Sequence, residues 1–171
     1  MHQRPPATEY APYYAGYIEM IPDNVSIAEY LVEALAENEH FFKTIPADKH
    51  DFAYDEGKWT VKEVLGHMCD VERVFAYRAM RVCRGDKTPL PGFDHNGYVE
   101  RAQFGLRSWR SLIEEYRHIR MSSISLVRQL QPEAKLLMGE ASGFPVSVRA
   151  LCYMIAGHEV HHVKILKERY L

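Results

Sequence analysis

The sequence predicts an all-α protein built as a four-helix bundle. Apolar residues recur at spacings of three and four in four separate stretches, two of these stretches begin with capping signals, and no stretch shows a competing strand pattern. A length of 171 residues with 47% hydrophobic residues suffices for one core. We therefore predict a single domain over residues 1–171.

The first segment, residues 1–24, is expected to be an irregular arm that packs on the domain. It contains four prolines and several tyrosines. The first helix is expected to begin at Ser26, because Glu29 three residues later matches a capping box. Its apolar face runs from Ile27 to Phe42, and a loop from Ile45 to Gly57 follows.

The second helix has the clearest start in the chain. Thr60 is predicted to be the N-cap and Glu63 its capping-box partner, and Trp59 precedes them as half of a hydrophobic staple. The helix is expected to end near Arg84. Its predicted inward face consists of Val64, His67, Met68, Val71, Val74 and Phe75.

Two further helices complete the predicted bundle. A loop with Pro89, Pro91 and Gly92 comes first and cannot be helical throughout. The third helix is predicted from the apolar spacing that begins at Trp109, and it ends before Pro132. After a Gly- and Pro-containing stretch at residues 139–145, the last helix carries its apolar face from residue 148 to residue 166.

Composition excludes several classes of function. Lys and Arg number 21 and Asp and Glu 23, without a basic stripe, which argues against a nucleic-acid partner. No apolar run approaches the roughly 20 residues of a membrane span, and the first residues do not resemble a secretory signal. Cys69, Cys83 and Cys152 form no CxxC pair, so we expect a reducing compartment, the cytoplasm.

The last helix directs two histidines to one side. At about 100° per residue, His158 and His162 lie about 40° apart, within the same arc as Leu151 and Ile155. His161 lies about 100° from His162, at the edge of that arc. Two imidazoles one turn apart can share one ion, and neutral imidazole suits Zn, Ni, Cu or Fe.

A third inward-facing histidine, His67, lies on the second helix. Alone, it would be better explained as a core residue hydrogen-bonded to a backbone or hydroxyl group. Three unpaired inward histidines would cost roughly 1–3 kcal/mol each, whereas one metal ion satisfies all three. His67 and His162 both lie about 10 Å inside their helices, so antiparallel packing would bring the rings to one level. Three protein ligands would leave an open coordination position.

Residues 158–162 read His-Glu-Val-His-His, which also matches the HExxH pattern of zincins. Zincins take a third ligand further downstream, and only nine residues follow here. The sequence therefore argues against a zincin. Glu159 would be a general base if it bordered the open position, and otherwise we expect it to face solvent.

Several other polar residues are candidates for contact with the site. Glu63 and Asp70 could accept the second ring N–H of a ligand histidine, although a capping role and a solvated position explain them as well. His95, in the loop after the second helix, and Glu159 and His161 on the last helix are further candidates for the pocket or for contact with the ligands. We expect the remaining histidines at the surface, namely His2, His40, His50 and His118.

The sequence resembles the DinB-like superfamily, which includes the DinB and YfiT groups. The resemblance lies in residues 57–73, which read GKWTVKEVLGHMCDVER, and in residues 157–162, which read GHEVHH, and it extends from about Tyr17 to the end. It implies a bundle of up-down-down-up topology with one divalent metal on His67, His158 and His162. Relatives with known activity use bacillithiol or mycothiol. The oligomeric state of a relative implies a homodimer.

From these observations we expect a metal-dependent transferase that uses a low-molecular-weight thiol on a small electrophile, with Zn or Ni as its ion. The expected mouth of its pocket includes Phe93, Asp94, His95, Tyr98, the loop from Ile45 to Trp59, and Tyr170. A hydrolase in which a carboxylate such as Glu159 activates water is one alternative. The other is a non-catalytic bundle that binds metal for stability, sensing or buffering in stress.

Overall fold

The computed structural model describes residues 3–171, so the surface position expected for His2 lies outside the described residues. Its helices are α1 (Ala15–Glu19), α2 (Ile27–Thr44), α3 (Val61–Cys83), α4 (His95–Ala102), α5 (Trp109–Arg128) and α6 (Val148–Ile165), which continues as a π-helix, Leu166–Tyr170. Short 3-10 turns occupy Ala7–Glu9, Pro12–Tyr14, Ala47–Lys49, Phe104–Leu106 and Ala134–Leu136. Between residues 3 and 171, no helix is both long and apolar enough to cross a bilayer.

The starts of the first two bundle helices agree with the sequence to different degrees. At α3, the Thr60 hydroxyl accepts from the backbone N–H of Glu63 at 3.3 Å, and the Glu63 carboxylate accepts from the N–H of Thr60 at 2.7 Å. This capping box is the one predicted. At α2, Ser26 is the N-cap residue but its side chain makes no capping hydrogen bond, so the capping box predicted there is wrong.

Contacts between helix ends define the topology. Trp109 at the start of α5 donates its ring N–H to the carbonyl of Phe42 at 3.0 Å near the end of α2, so these helices are antiparallel. Lys62 at the start of α3 donates to the carbonyl of Gly105 at 3.1 Å, just before α5, so α3 and α5 are parallel. Tyr170, at the end of the π-helix that continues α6, donates its hydroxyl to the carbonyl of Trp59 at 2.7 Å just before α3, so α3 and α6 are antiparallel. The all-α bundle with up-down-down-up topology is therefore confirmed.

Two elements of the connections differ from the prediction. Residues 95–102, expected in a loop, form α4, whose N-cap Asp94 accepts from the N–H of Gly97 at 3.0 Å. Residues 138–147, expected to lack strands, form an antiparallel hairpin of β1 (Met138–Ala141) and β2 (Phe144–Ser147). Ser142 and Gly143 have φ values of 55° and 80°, which is the backbone of a two-residue hairpin turn.

The N-terminal segment, predicted to be an irregular arm, contains the regular helix α1 and lies against α6. Arg149 on α6 forms an ion pair with Glu9 of the arm, and α1 crosses α6 at Gly157. A Cβ at Gly157 would lie 2.0 Å from the carbonyl oxygen of Tyr17. Because the arm covers the side of α6 that faces away from the other bundle helices, residues 150–159 are all buried.

Replacing Gly157 with alanine tests this crossing. The new methyl group would meet backbone rather than a movable side chain, so we expect Gly157→Ala to lower the free energy of unfolding by about 1–3 kcal/mol. Gly16→Ala is the matched control on α1, because a methyl group added there would meet nothing within 4 Å. It should leave stability unchanged or raise it slightly. Equal urea midpoints for Gly157→Ala and the unsubstituted protein would contradict the described crossing.

Candidate metal centre

Three buried histidines meet where α3 and α6 cross. His67 comes from the second turn of α3, and His158 and His162 lie one turn apart on α6. Their exposed fractions are only 6%, 5% and 8%. The Nε2 atom of His158 lies 3.1 Å from Nε2 of His67 and 3.0 Å from Nε2 of His162. The structure thus brings together the three histidines that the sequence singled out.

The donor set of this histidine trio fits a metal ion better than it fits hydrogen bonding. A ring nitrogen carries one proton or one lone pair, so Nε2 of His158 cannot make good hydrogen bonds to both neighbours. An ion bound by nitrogens at about 2.0–2.1 Å holds them roughly 3 Å apart. The three candidate ligand atoms lie within 4.8 Å of one another, so the trio could hold an ion after a small adjustment.

Burial keeps the trio in the form that binds metals. It lowers the pKa of His67 to about 4, with smaller effects of His95 and His161, and it lowers the pKa of His162 to about 2. Burial also brings the pKa of His158 well below its ordinary value, with the neighbouring rings adding to the effect. All three rings are therefore neutral at neutral pH, and neutral imidazole is the ligand for Zn and Ni.

Aromatic rings surround the trio. The Trp59 ring centroid lies 4.5 Å from that of His67, and the rings of Tyr17 and Phe75 lie 5.4 Å and 6.1 Å from that of His158. Tyr170 supports Trp59 by donating its hydroxyl to the Trp59 carbonyl at 2.7 Å. These contacts restrict the rotation of the ligand rings.

Two further histidines lie beside the trio without joining it. His95 is the first residue of α4 rather than part of a loop, and its exposed ring lies 5.8 Å from the His67 ring. His161 is half-buried, with its ring 4.9 Å from that of His162 and 5.2 Å from that of Tyr17. Neither belongs to the group of atoms that could share an ion.

Glu159 does not face solvent, so that expectation is wrong. Its side chain is 2% exposed and accepts hydrogen bonds from the Tyr116 hydroxyl at 2.5 Å and from Nη1 of Arg120 at 2.8 Å. Each carboxylate oxygen has a donor, which leaves this glutamate poorly suited to act as a general base. The HExxH pattern of zincins is therefore matched in sequence but not in the role of its glutamate.

The other carboxylates considered from the sequence have local roles. Glu63 caps α3 through Thr60, and the half-buried Asp70 accepts from Arg73 at 3.2 Å. Their side chains are thus engaged within their own helix. Of the histidines expected at the surface, His40 and His118 are exposed, whereas His50 is half-buried with its ring stacked on Trp109.

Sequence reasoning missed the residues that bind Glu159. Arg120 is fully buried and makes two hydrogen bonds to Glu72, at 2.9 Å and 2.8 Å, in addition to its bond to Glu159. A signal existed, because Arg120 follows Tyr116 by four residues and Glu72 follows Met68 by four. Both therefore continue apolar helix faces on which a charged residue needs a buried partner.

Comparisons with known proteins agree with this fold. The sequence profile of the DinB superfamily matches residues 30–166. No curated protein sequence matches the chain. Among solved structures, YfiT from Bacillus subtilis is similar, with a TM-score of 0.75 and 16% identity over 94% of this chain and 91% of that chain. It is described as a probable metal-dependent hydrolase with an unusual four-helix bundle topology. At this identity the likeness concerns the fold.

Adjacent histidines on α6 allow a strict test of the site. His67→Ala, His158→Ala and His162→Ala should each abolish tight binding of Zn or Ni in a competition titration with a chelator. His161→Ala should weaken metal binding modestly or not at all. The loss in affinity should not exceed the roughly 10–100-fold expected when a residue that only contacts a ligand is removed. Circular dichroism should check folding, because each buried ring also fills volume. Metal loss in His161→Ala together with retention in His162→Ala would refute the assigned site.

Proposed function

The chain belongs to the DinB superfamily, and on this premise we propose that it is a metal-dependent transferase that joins a low-molecular-weight thiol to a small electrophile. We propose that His67, His158 and His162 hold its divalent ion, Zn or Ni. The observation that carries the proposal is the ligand set, which consists of three buried neutral imidazoles and no carboxylate within residues 3–171.

This ligand set suits an anionic substrate group. Three neutral rings do not reduce the positive charge of a divalent ion. Three protein ligands also leave a coordination position for a fourth, exchangeable ligand. When bound, such an ion lowers the pKa of a thiol and fixes its direction. The rings of Trp59 and His95 lie at the side of His67 and are proposed to border the entrance for both substrates.

The thiol is proposed to come from a small molecule because the cysteines of the chain are badly placed. Cys69, Cys83 and Cys152 are all buried. Burial raises the pKa of the Cys69 thiol far above its usual range and that of Cys152 to about 12. A buried thiol that stays protonated is a poor nucleophile. An external thiol is therefore the more suitable reactant.

A hydrolase is the second candidate, favoured by the description of YfiT as a probable metal-dependent hydrolase. Hydrolysis requires a base that deprotonates or orients water. Glu159 is held by Tyr116 and Arg120, so the role would pass to His95, which is exposed beside His67. The transferase is preferred because a thiol that binds the ion would release its proton to solvent and attack the electrophile as the thiolate, so no additional base is needed.

A non-catalytic metal site is less well supported by the same geometry. Structural zinc sites are usually closed by four protein ligands. The described residues supply three, and the two further imidazoles nearby, those of His95 and His161, lie outside the group.

Paired assays distinguish the candidates. Zn- or Ni-loaded protein should accelerate conjugation of bacillithiol or mycothiol with monochlorobimane, and a chelator or His162→Ala should return the rate to the uncatalysed level. His118→Ala, on the exposed side of α5, is the matched control and should retain full activity. Metal-dependent hydrolysis of a nitrophenyl ester without thiol, reduced about 100-fold or more in His95→Ala, would replace the transferase with the hydrolase.

A further inference from the structure

A cluster of four buried polar side chains connects three helices next to the histidine trio. Glu72 comes from α3, Tyr116 and Arg120 come from α5, and Glu159 comes from α6. Their exposed fractions are 5%, 1%, 0% and 2% in that order. We call this group the Glu72–Arg120–Glu159 cluster, with Tyr116 as its fourth member.

Stability alone does not account for this cluster. Removing charges from water is costly, and replacing a buried ion pair by apolar side chains of similar volume is often neutral or stabilising. Here one guanidinium faces two carboxylates, at 2.8 Å from each. Arg120 forms two parallel hydrogen bonds to Glu72, an arrangement that fixes direction as well as distance. The cluster is therefore better suited to setting geometry than to adding stability.

Its position relates it to the candidate metal centre. Glu159 directly follows His158 and precedes His162 by three residues. The direction of its carboxylate is therefore coupled to the rotation of the α6 turn that carries both rings. Glu72 follows His67 by five residues, about 7.5 Å along α3. Arg120 thus connects the two helices that supply the trio, close to the trio itself.

Apolar packing alone would set the rotation of α6 less tightly than the hydrogen bonds of the cluster do. Residues 150–159 are buried all round the helix, so the distribution of apolar residues alone does not select one rotation of α6. A shift of one residue moves the helix by about 1.5 Å, which would break the 2.8 Å contact between Arg120 and Glu159. Metal ligands tolerate only about 0.2 Å.

We propose that the Glu72–Arg120–Glu159 cluster positions the histidine trio by fixing the rotation and depth of α6 against α3. The inference rests on the proposed metal-binding function. Its members are positioning residues, because they act on the ion through His67, His158 and His162 and have their own hydrogen bonds within the cluster.

The test replaces the whole cluster by apolar side chains, so that no buried charge loses its partner. The variant combines Glu72→Leu, Tyr116→Phe, Arg120→Met and Glu159→Leu. We expect it to fold with an unfolding free energy equal to or greater than that of the parent. Its affinity for Zn should nevertheless fall about 10–100-fold, and the visible absorption bands of bound Co(II) should shift. A purely structural cluster would leave both metal readouts unchanged.

A surface ion pair provides the matched control. Arg73 follows Glu72 on α3 and pairs with Glu115 on α5, so this pair also joins α3 to α5. Both of its side chains are partly exposed. The double variant Arg73→Met with Glu115→Leu should keep the parental zinc affinity and Co(II) spectrum. An equal loss of affinity in this control would overturn the assignment of positioning to the buried cluster.

A milder variant keeps the proposal testable if the fourfold replacement does not fold. Tyr116→Phe removes only the hydrogen bond to Glu159, and we expect zinc affinity to fall about two- to fivefold. Parental affinity in the folded fourfold variant, or in Tyr116→Phe if that is the variant available, overturns the proposal. Absence of metal binding by the parent protein would instead defeat the proposed function itself.

Discussion

The structure depends on the antiparallel crossing of α3 and α6, which places three imidazole rings at one level inside the bundle. The crossing buries these rings, and burial lowers their pKa values so that all three are neutral. It also brings Nε2 of His67 to 3.1 Å from that of His158, which already has Nε2 of His162 one turn along α6 at 3.0 Å, and hydrogen bonds cannot satisfy both contacts. A bound metal ion would resolve this conflict, and the proposed chemistry would follow from the neutral ligands.

Other parts of the chain serve the same crossing. The N-terminal arm covers the far side of α6 and reaches it closely because Gly157 has no side chain. Arg120 holds Glu72 and Glu159 in fixed directions, which also keeps Glu159 from acting as a base. Trp59 and His95 border His67. Within residues 3–171, the group that could hold an ion contains no carboxylate, which supports the proposed use of an external thiolate.

The sequence predicted the bundle and the grouping of the histidines because both depend on local periodicity. Thr60 fixed the start of α3, and helical phase separated His162 from His161. Phase did not predict the burial of Glu159, because its contacts with Tyr116 and Arg120 on α5 are long-range. The same limit applies to Arg120 and Glu72, whose pairing joins residues 48 positions apart. The hairpin and α4 were missed because short elements give weak periodic signals.

X-ray absorption spectroscopy of the zinc-loaded protein tests the central claim most directly, because it reports the ligand atoms without reference to activity. The account predicts three imidazole nitrogens at about 2.0–2.1 Å, with the multiple-scattering pattern of histidine rings, and at least one exchangeable oxygen ligand. Addition of a small thiol should replace that oxygen with a sulfur at about 2.3 Å. A shell with fewer than three imidazoles, or one closed by four protein ligands that a thiol does not alter, would contradict the account.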